Sequence, residues 1–311
     1  RRGRHSAPAD GQESLNMDFK GKTALITGAG SGFGLALARL CALEGMNLVL
    51  ADVQADALAR VSEELHATPH LAQRVDVSSG AEMATLAAAT QARFGAPHLV
   101  FNNAGVAFGG LIWEASEADW DWVLGVNLRG VVHGVRLFTP MMLAAAQADP
   151  GWQGHIVNTA SMAGVFNPPL SGPYNVSKHA VVSLSETLHH DLALVTEQVR
   201  CSVLCPYYVP TGIADSHRNR APETMTRATA SQRVSYALSS KAVASGRRSA
   251  EEVAALVLDA VRQRHFWIFS HPHALGAVLS NAEDLVAGRN PADPFADRPD
   301  LSEQIRAALR G

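Results

Sequence analysis

Tyr174 and Lys178 stand four residues apart in the stretch Tyr-Asn-Val-Ser-Lys. The run around them, 172–189, carries helical apolar spacing at Val176, Ala180, Val181, Leu184 and Leu188. On a helix that spacing puts both side chains on one face, about 6 Å apart along the axis. A free phenol titrates near ~10 and is a weak base at neutral pH, but an adjacent cation favours the phenolate by roughly 1–3 units. The pair can therefore act as acid or base at a hydroxyl or carbonyl. Taken alone, the plainer reading wins, that of an exposed helical Tyr/Lys pair, because Y-x-x-x-K occurs often by chance.

Other stretches supply partners for that chemistry. Gly28-Ala-Gly-Ser-Gly-Phe-Gly34 follows a short apolar strand, 23–27, and an apolar helical pattern begins at Leu35. Strand, glycine turn and helix N-terminus together form an anion site in which the backbone passes close to a pyrophosphate. Asp52 closes the second strand, 47–51, 18 residues after Gly34. A carboxylate there accepts hydrogen bonds from adenosine ribose hydroxyls and repels a 2′-phosphate. No Arg or Lys lies between Gly28 and Leu35 or directly after Asp52, so NAD(H) is expected over NADP(H). The bland reading of Asp52 is a solvated carboxylate at a strand end. Asp76 ends a third strand, 71–77, where its side chain can face an adenine amino group.

Ser161 follows a fifth strand, 154–160, and precedes Tyr174 by 13 residues. A strand-end serine and a helical tyrosine across one loop can reach the same substrate oxygen; a serine capping a turn is the plainer reading. Asn127 falls inside a long helical pattern, 117–146, where Asn competes for backbone hydrogen bonds at some cost. An exposed helical Asn is the safer reading without further evidence. Pro140 is expected to end or kink that helix.

Strand and helix alternate along the chain. Helical patterns at 55–66 and 81–94 separate the early strands, a fourth strand at 98–102 runs into Asn102-Asn-Ala-Gly105, and a sixth spans 200–205. Such alternation predicts an α/β, doubly wound parallel sheet, with ligands at the carboxyl edge of the strands. The stretch 212–248 is irregular and basic, with seven Arg and Lys against two acidic residues. Connections of that length are usually lids. A helix capped by Ser249 and Glu252 runs to about Gln263, a last strand covers 266–269, and residues 271–311 form a C-terminal extension with helices near 274–286 and at the end. His271 and His273 lack a third ligand, and no metal site is expected.

The 311 residues suit one large domain or two small ones, 47% of them are apolar, and net charge is −3. Nothing global draws the chain to nucleic acid or membrane, and no apolar run reaches a membrane span. Three cysteines without zinc spacing read as reduced thiols of a cytoplasmic protein. Residues 1–16 are polar and read as a disordered leader or vector remnant ahead of Met17.

Together these residues resemble the short-chain dehydrogenase/reductases over roughly 19–270. The resemblance rests on Thr27-Gly-x-x-x-Gly-x-Gly34, Asp52, Asp76, Asn102-Asn-Ala-Gly105, Asn127, Ser161 and Tyr174-x-x-x-Lys178. It implies a single catalytic domain of Rossmann fold, three-layer α/β/α, over 17–270, with 212–248 as substrate lid. It implies hydride transfer between a substrate carbon and nicotinamide, without a metal. Tyr174 would pass the proton, Ser161 would bind the substrate oxygen, Lys178 would hold the nicotinamide ribose and lower the Tyr174 pKa, and Asn127 would position a water leading from Lys178 to solvent. The coenzyme would contact Gly28, Ser31, Gly32, Phe33, Gly34, Asp52, Asp76, Val77, Asn103, Ala104, Gly105, Tyr174, Lys178, Pro206, Val209 and Thr211. A homo-oligomer, tetramer or dimer, built through the helices of Asn127 and Tyr174 is also implied. The sequence departs from the family at Pro206-Tyr207, where Pro-Gly is common, and Tyr cannot cheaply take glycine-only angles.

Phe108, Trp113, Met162, Val165, Phe166, Leu170, Tyr207 and Tyr208 are the expected walls of a substrate pocket. That set is apolar and aromatic, and suits a hydrophobic secondary alcohol or its ketone, aryl or alicyclic. The layout 120–173 and the strand near 268–272 also look similar to bacterial dehydrogenases of aryl alcohol side chains. Two alternatives are a nucleotide-sugar epimerase or dehydratase of the extended branch and a non-catalytic NAD-binding regulatory protein.

Overall fold

A computed structural model describes residues 17–310; the leader expected at 1–16 lies outside the described residues. Seven strands form one parallel sheet in the order β3-β2-β1-β4-β5-β6-β7. They are β1 (Thr23–Thr27), β2 (Asn47–Asp52), β3 (His70–Arg74), β4 (Leu99–Asn102), β5 (Gly154–Thr159), β6 (Val199–Cys205) and β7 (Trp267–Phe269). The helices are α1 (Gly32–Leu43), α2 (Ala55–Glu64), α3 (Gly80–Phe94), α4 (Glu117–Leu124), α5 (Gly130–Ala148), α6 (Gly172–Val195), α7 (Ala230–Ala244), α8 (Ala250–Arg262), α9 (Leu275–Ala287) and α10 (Pro299–Arg310).

Both faces of the sheet are covered, and the strands show why. Ala24, Ile26, Leu48 and Leu50 pack with Leu37 of α1, Leu58 of α2 and Leu258 of α8. The alternate residues Leu25, Val49 and Ala51 pack with Met83 and Leu86 of α3, Phe138 and Met142 of α5 and Leu188 of α6. Apolar residues on both faces of β1 and β2 are what a sheet wrapped on both faces requires. The result is the three-layer α/β/α arrangement expected from the alternation.

Several expected boundaries change. β3 stops at Arg74, so Asp76 and Val77 sit in the loop beyond it rather than in a strand. The helical pattern 117–146 runs without a break, but α4 and α5 are joined by a π-helical turn, Gly125–Arg129, that carries Asn127. Pro140 does not end α5, which continues to Ala148 because Phe138, Met142 and Ala146 hold both sides of it to the core. The stretch 212–248 is not irregular throughout. Thr229 and Gln232 form a capping box at the start of α7, a 15-residue helix. The C-terminal helix α10 lies against α7 and buries Ser302 and Ile305. No helix among the described residues is long and apolar enough to cross a membrane.

Candidate active site

The glycine turn is built by close approach. Gly28 and Gly32 adopt left-handed backbone angles, φ +68° and +54°, which side chains rarely take. A Cβ on Gly34 would lie 2.0 Å from the Gly28 oxygen, so α1 can pack on the turn only with glycine there. Asp52 is no idle surface carboxylate: it accepts the Gly30 N–H at 2.8 Å and the Gln54 N–H at 2.9 Å. Thr27 ties the next loop in, its Oγ1 accepting from the Asn103 and Ala104 N–H groups at 2.9 and 3.1 Å.

A cleft of about 720 Å³ runs along the carboxyl ends of the strands. Gly28, Ser31, Gly32 and Phe33 line it from the turn, and Asp52 from β2. Asp76 and Val77 line it after β3, and Asn103, Ala104 and Gly105 after β4. Ser161, Tyr174 and Lys178 come from β5 and α6, and Pro206, Val209 and Thr211 from the loop after β6. Gly34 lies behind the wall. Asp76 accepts from the backbone and hydroxyl of Ser78 at 2.9 and 2.7 Å. A turn kept close by its glycines, a helix N-terminus and a strand-end carboxylate in one groove fit a dinucleotide.

Tyr174 and Lys178 share the inner face of α6, as their spacing predicts. Tyr174 opens onto the cleft, yet the walls around it desolvate the phenol and push its pKa up; a hydrogen bond with Ser161 partly offsets this. Lys178 is buried, and desolvation pulls its pKa down to about 8. Its Nζ donates to the Thr159 carbonyl at 2.9 Å and lies 5.6 Å from the Tyr174 ring centre. The expected lowering of the Tyr174 pKa by Lys178 is thus not what this geometry gives: burial dominates, and the ammonium is turned to a backbone oxygen. Ser161 serves both of its readings. It accepts the Ala163 N–H at 3.1 Å as a turn cap and stands beside the phenol.

Asn127 is buried, not exposed. Its Oδ1 accepts the Val106 N–H at 2.8 Å, and its Nδ2 donates to the Val106 carbonyl at 2.9 Å and to Ser177 Oγ at 3.0 Å. The amide is committed to bracing the loop after β4 against α6, which repays an Asn at that helical position. π turns of this kind are frequent at functional sites.

On the substrate side the structure redistributes the expected walls. Tyr207 lines the cleft and lies 4.4 Å, ring to ring, from Tyr208, which is itself 38% exposed. Met162 does not reach the cleft; it packs with Val181, Val203 and Cys205 under the sheet edge, with Val165 and Phe166 against the same cluster. Leu170 is buried with φ +61°. Its carbonyl accepts from Gly110 N and Ser235 Oγ, anchoring α7. Phe108 is half-buried outside the cleft, and Trp113 is 77% exposed.

Gln54, Trp122 and Thr159 line the cleft without a mark in the sequence, and so does Arg220, which the sequence shows only as one of the seven basic residues of 212–248. Gln54 was detectable as the residue two past the strand-end Asp. Arg220 carries no local signal, because its partner Asp119 is 101 positions away.

Comparison with known proteins agrees with this geometry. A family model described as short chain dehydrogenase matches residues 22–222. A short chain dehydrogenase/reductase from Burkholderia phymatum, solved in complex with NAD, is 50% identical and superposes with a TM-score of 0.86 over 90% of this chain and 99% of that one. A CLA biosynthesis dehydrogenase/reductase of Lactiplantibacillus plantarum is 30% identical over 88% of this chain and 96% of its own length. A C alpha-dehydrogenase of Sphingobium sp. is 35% identical over 65% of each chain.

Proposed function

The chain belongs to the short-chain dehydrogenase/reductase family, NAD(P)-dependent oxidoreductases of alcohols and ketones, and from that premise we propose that it interconverts a hydrophobic secondary alcohol and its ketone with NAD(H) as coenzyme. One observation carries the reading: Ser161, Tyr174 and Lys178 open onto the same cleft as the glycine turn and Asp52.

The bound dinucleotide supplies the hydride acceptor or donor. The chain supplies alignment and a proton path. In oxidation the Tyr174 phenolate takes the hydroxyl proton, and Ser161 Oγ donates a hydrogen bond to the substrate oxygen. In reduction the phenol returns the proton to the carbonyl oxygen. Lys178 holds the nicotinamide ribose and places a positive charge within reach of the phenol. Asn127 keeps the floor of the site in place through Val106 and Ser177.

Preference for NAD(H) is supported by Asp52, whose charge opposes a 2′-phosphate. An aryl or alicyclic substrate is supported by Tyr207 on the wall and Tyr208 beside it. The catalytic unit is residues 17–270, with 212–248 as lid and the C-terminal extension packed on that lid. Exposed Val176, Leu194 and Val195 on α6 support assembly as a homo-oligomer, dimer or tetramer, and three buried unpaired cysteines support a cytoplasmic setting.

The test is turnover of a panel of aryl and alicyclic secondary alcohols with NAD, followed by NADH absorbance. Activity on that panel is expected. Silence across it removes the substrate class, and higher kcat/KM with NADP than with NAD removes the coenzyme assignment.

A further inference from the structure

Arg220, in the segment between β6 and α7, is only 7% exposed at its side chain. Its Nη1 pairs with Asp119 of α4, its Nε donates to Thr224 Oγ1 at 3.0 Å, and its guanidinium lies 5.4 Å from the Trp122 ring centre. Its Nη2 is buried and has no hydrogen-bond partner among the described residues. A buried guanidinium N–H without an acceptor is costly, since arginine offers five donors and cannot shed its charge. Arg220 and Trp122 both face the cleft, so an acceptor there would relieve that cost.

Neighbouring contacts locate this arginine along the cleft. Asn219 Oδ1 accepts from Gln54 Nε2 at 2.6 Å, two residues past Asp52. Gly125, three residues after Trp122, packs on Ser78, where an added Cβ would lie 3.3 Å from the Ser78 Cβ. Ser78 in turn binds Asp76. The segment therefore crosses the cleft at the end marked by Asp52 and Asp76.

We propose that Arg220 is a coenzyme-binding residue: with Trp122 it closes the cleft over the adenosine half of the dinucleotide, and its Nη2 donates to an adenosine acceptor atom. This rests on the dinucleotide reading of the cleft given above. Asp119 already neutralises the guanidinium, which favours an uncharged adenosine acceptor over a 2′-phosphate. The Arg220–Asp119 contact spans 101 positions of sequence and sets the lid against the adenosine end of the cleft rather than the substrate end.

The experiment is direct binding of ADP-ribose, NADH and NADPH, by calorimetry, to the unaltered protein, Arg220→Lys and Asn219→Ala. Lysine keeps a charge for Asp119 but loses the fork. Arg220→Lys is expected to weaken ADP-ribose and NADH equally, about 10-fold, while Asn219→Ala weakens them less than about 2-fold. Unchanged ADP-ribose binding in Arg220→Lys overturns the proposal. So does an equal loss in Asn219→Ala, which would make lid closure the cause, and so does a loss confined to NADPH, which would place the guanidinium at a 2′-phosphate. If the unaltered protein binds none of the three, the dinucleotide reading itself falls, and this proposal falls with it. Should Arg220→Lys fail to fold, Trp122→Leu, which leaves the Arg220–Asp119 pair intact, is expected to show the same ADP-ribose loss, and tight binding there overturns the proposal.

Discussion

Lys178 Nζ donates to the backbone oxygen of Thr159, at 2.9 Å, and not to the tyrosine one turn before it. The lysine is thereby fixed by the end of β5, where its ammonium can face the cleft. Keeping a buried amine charged has a cost, seen in a pKa pulled down to about 8 by desolvation. The unfolded chain holds its lysine proton to about 10.4. Between about pH 8 and 10.4 the unfolded state binds more protons, so stability rises with pH across that window. The penalty is fully present below pH 8.

Lys178→Met is therefore expected to stabilise the ligand-free protein at pH 7 by about 2 kcal/mol, the desolvation cost less the lost bond to Thr159. The gain shrinks as pH rises from 8 to 10.4, while turnover is lost at every pH. Urea denaturation at pH 7 and pH 10 checks both slopes, and a variant less stable than the parent at pH 7 would contradict it. Stability gained at the expense of function is the usual pattern at such sites.

Tyr174 gives the second prediction. Desolvation raises its pKa, so the phenolate needed for oxidation becomes scarcer at neutral pH. Alcohol oxidation is expected to rise with pH until Lys178 loses its charge near 8, and ketone reduction, which uses the protonated phenol, to stay flat over the same range. Tyr174→Phe should lower kcat about 10³-fold in both directions with coenzyme Kd within about 2-fold of the parent. Oxidation that fell with rising pH below 8 would exclude the phenol as the base.

What the sequence made legible was whatever is local or periodic. The glycine turn, Asp52 and the Tyr174/Lys178 spacing each follow from a few adjacent residues, and the parallel sheet follows from the alternation of apolar runs. What escaped was set by distant packing. The π turn at Asn127 is selected by Val106 and Ser177, 21 and 50 positions away. Met162 and Leu170 are apolar and near the site in sequence, so they read as pocket walls, but the sheet edge takes the first and the anchor of α7 the second. Pro140 does not end its helix, because a propensity rule is outweighed by core contacts on both sides.

Asp52 carries the third prediction. Its carboxylate holds the Gly30 and Gln54 N–H groups, so Asp52→Ala loosens the turn as well as the ribose contact. Two charge-assisted bonds are lost, and stability should fall by about 2–4 kcal/mol. Affinity for NADH should fall at least about 10-fold, with NADPH affinity falling less, so that the ratio moves toward NADPH. Paired titrations of the two coenzymes decide it; an unchanged ratio would mean that Asp52 braces the turn without sensing the ribose.

Asn127 admits two roles that a substitution separates. If its amide braces the loop after β4, removing it leaves the buried N–H and C=O of Val106 unpaired, and Asn127→Ala should cost about 3 kcal/mol of stability. Turnover measured well below the melting temperature would then fall less than about 10-fold, with the pH profile still governed by Lys178. If the amide instead orders a water leading from Lys178 to solvent, stability would change little and kcat would drop steeply, with a larger solvent isotope effect as proton delivery became limiting. The hydrogen bonds to Val106 and Ser177 use both Nδ2 donors, so the first outcome is expected. Denaturation midpoints and kcat measured on the same preparation distinguish the two.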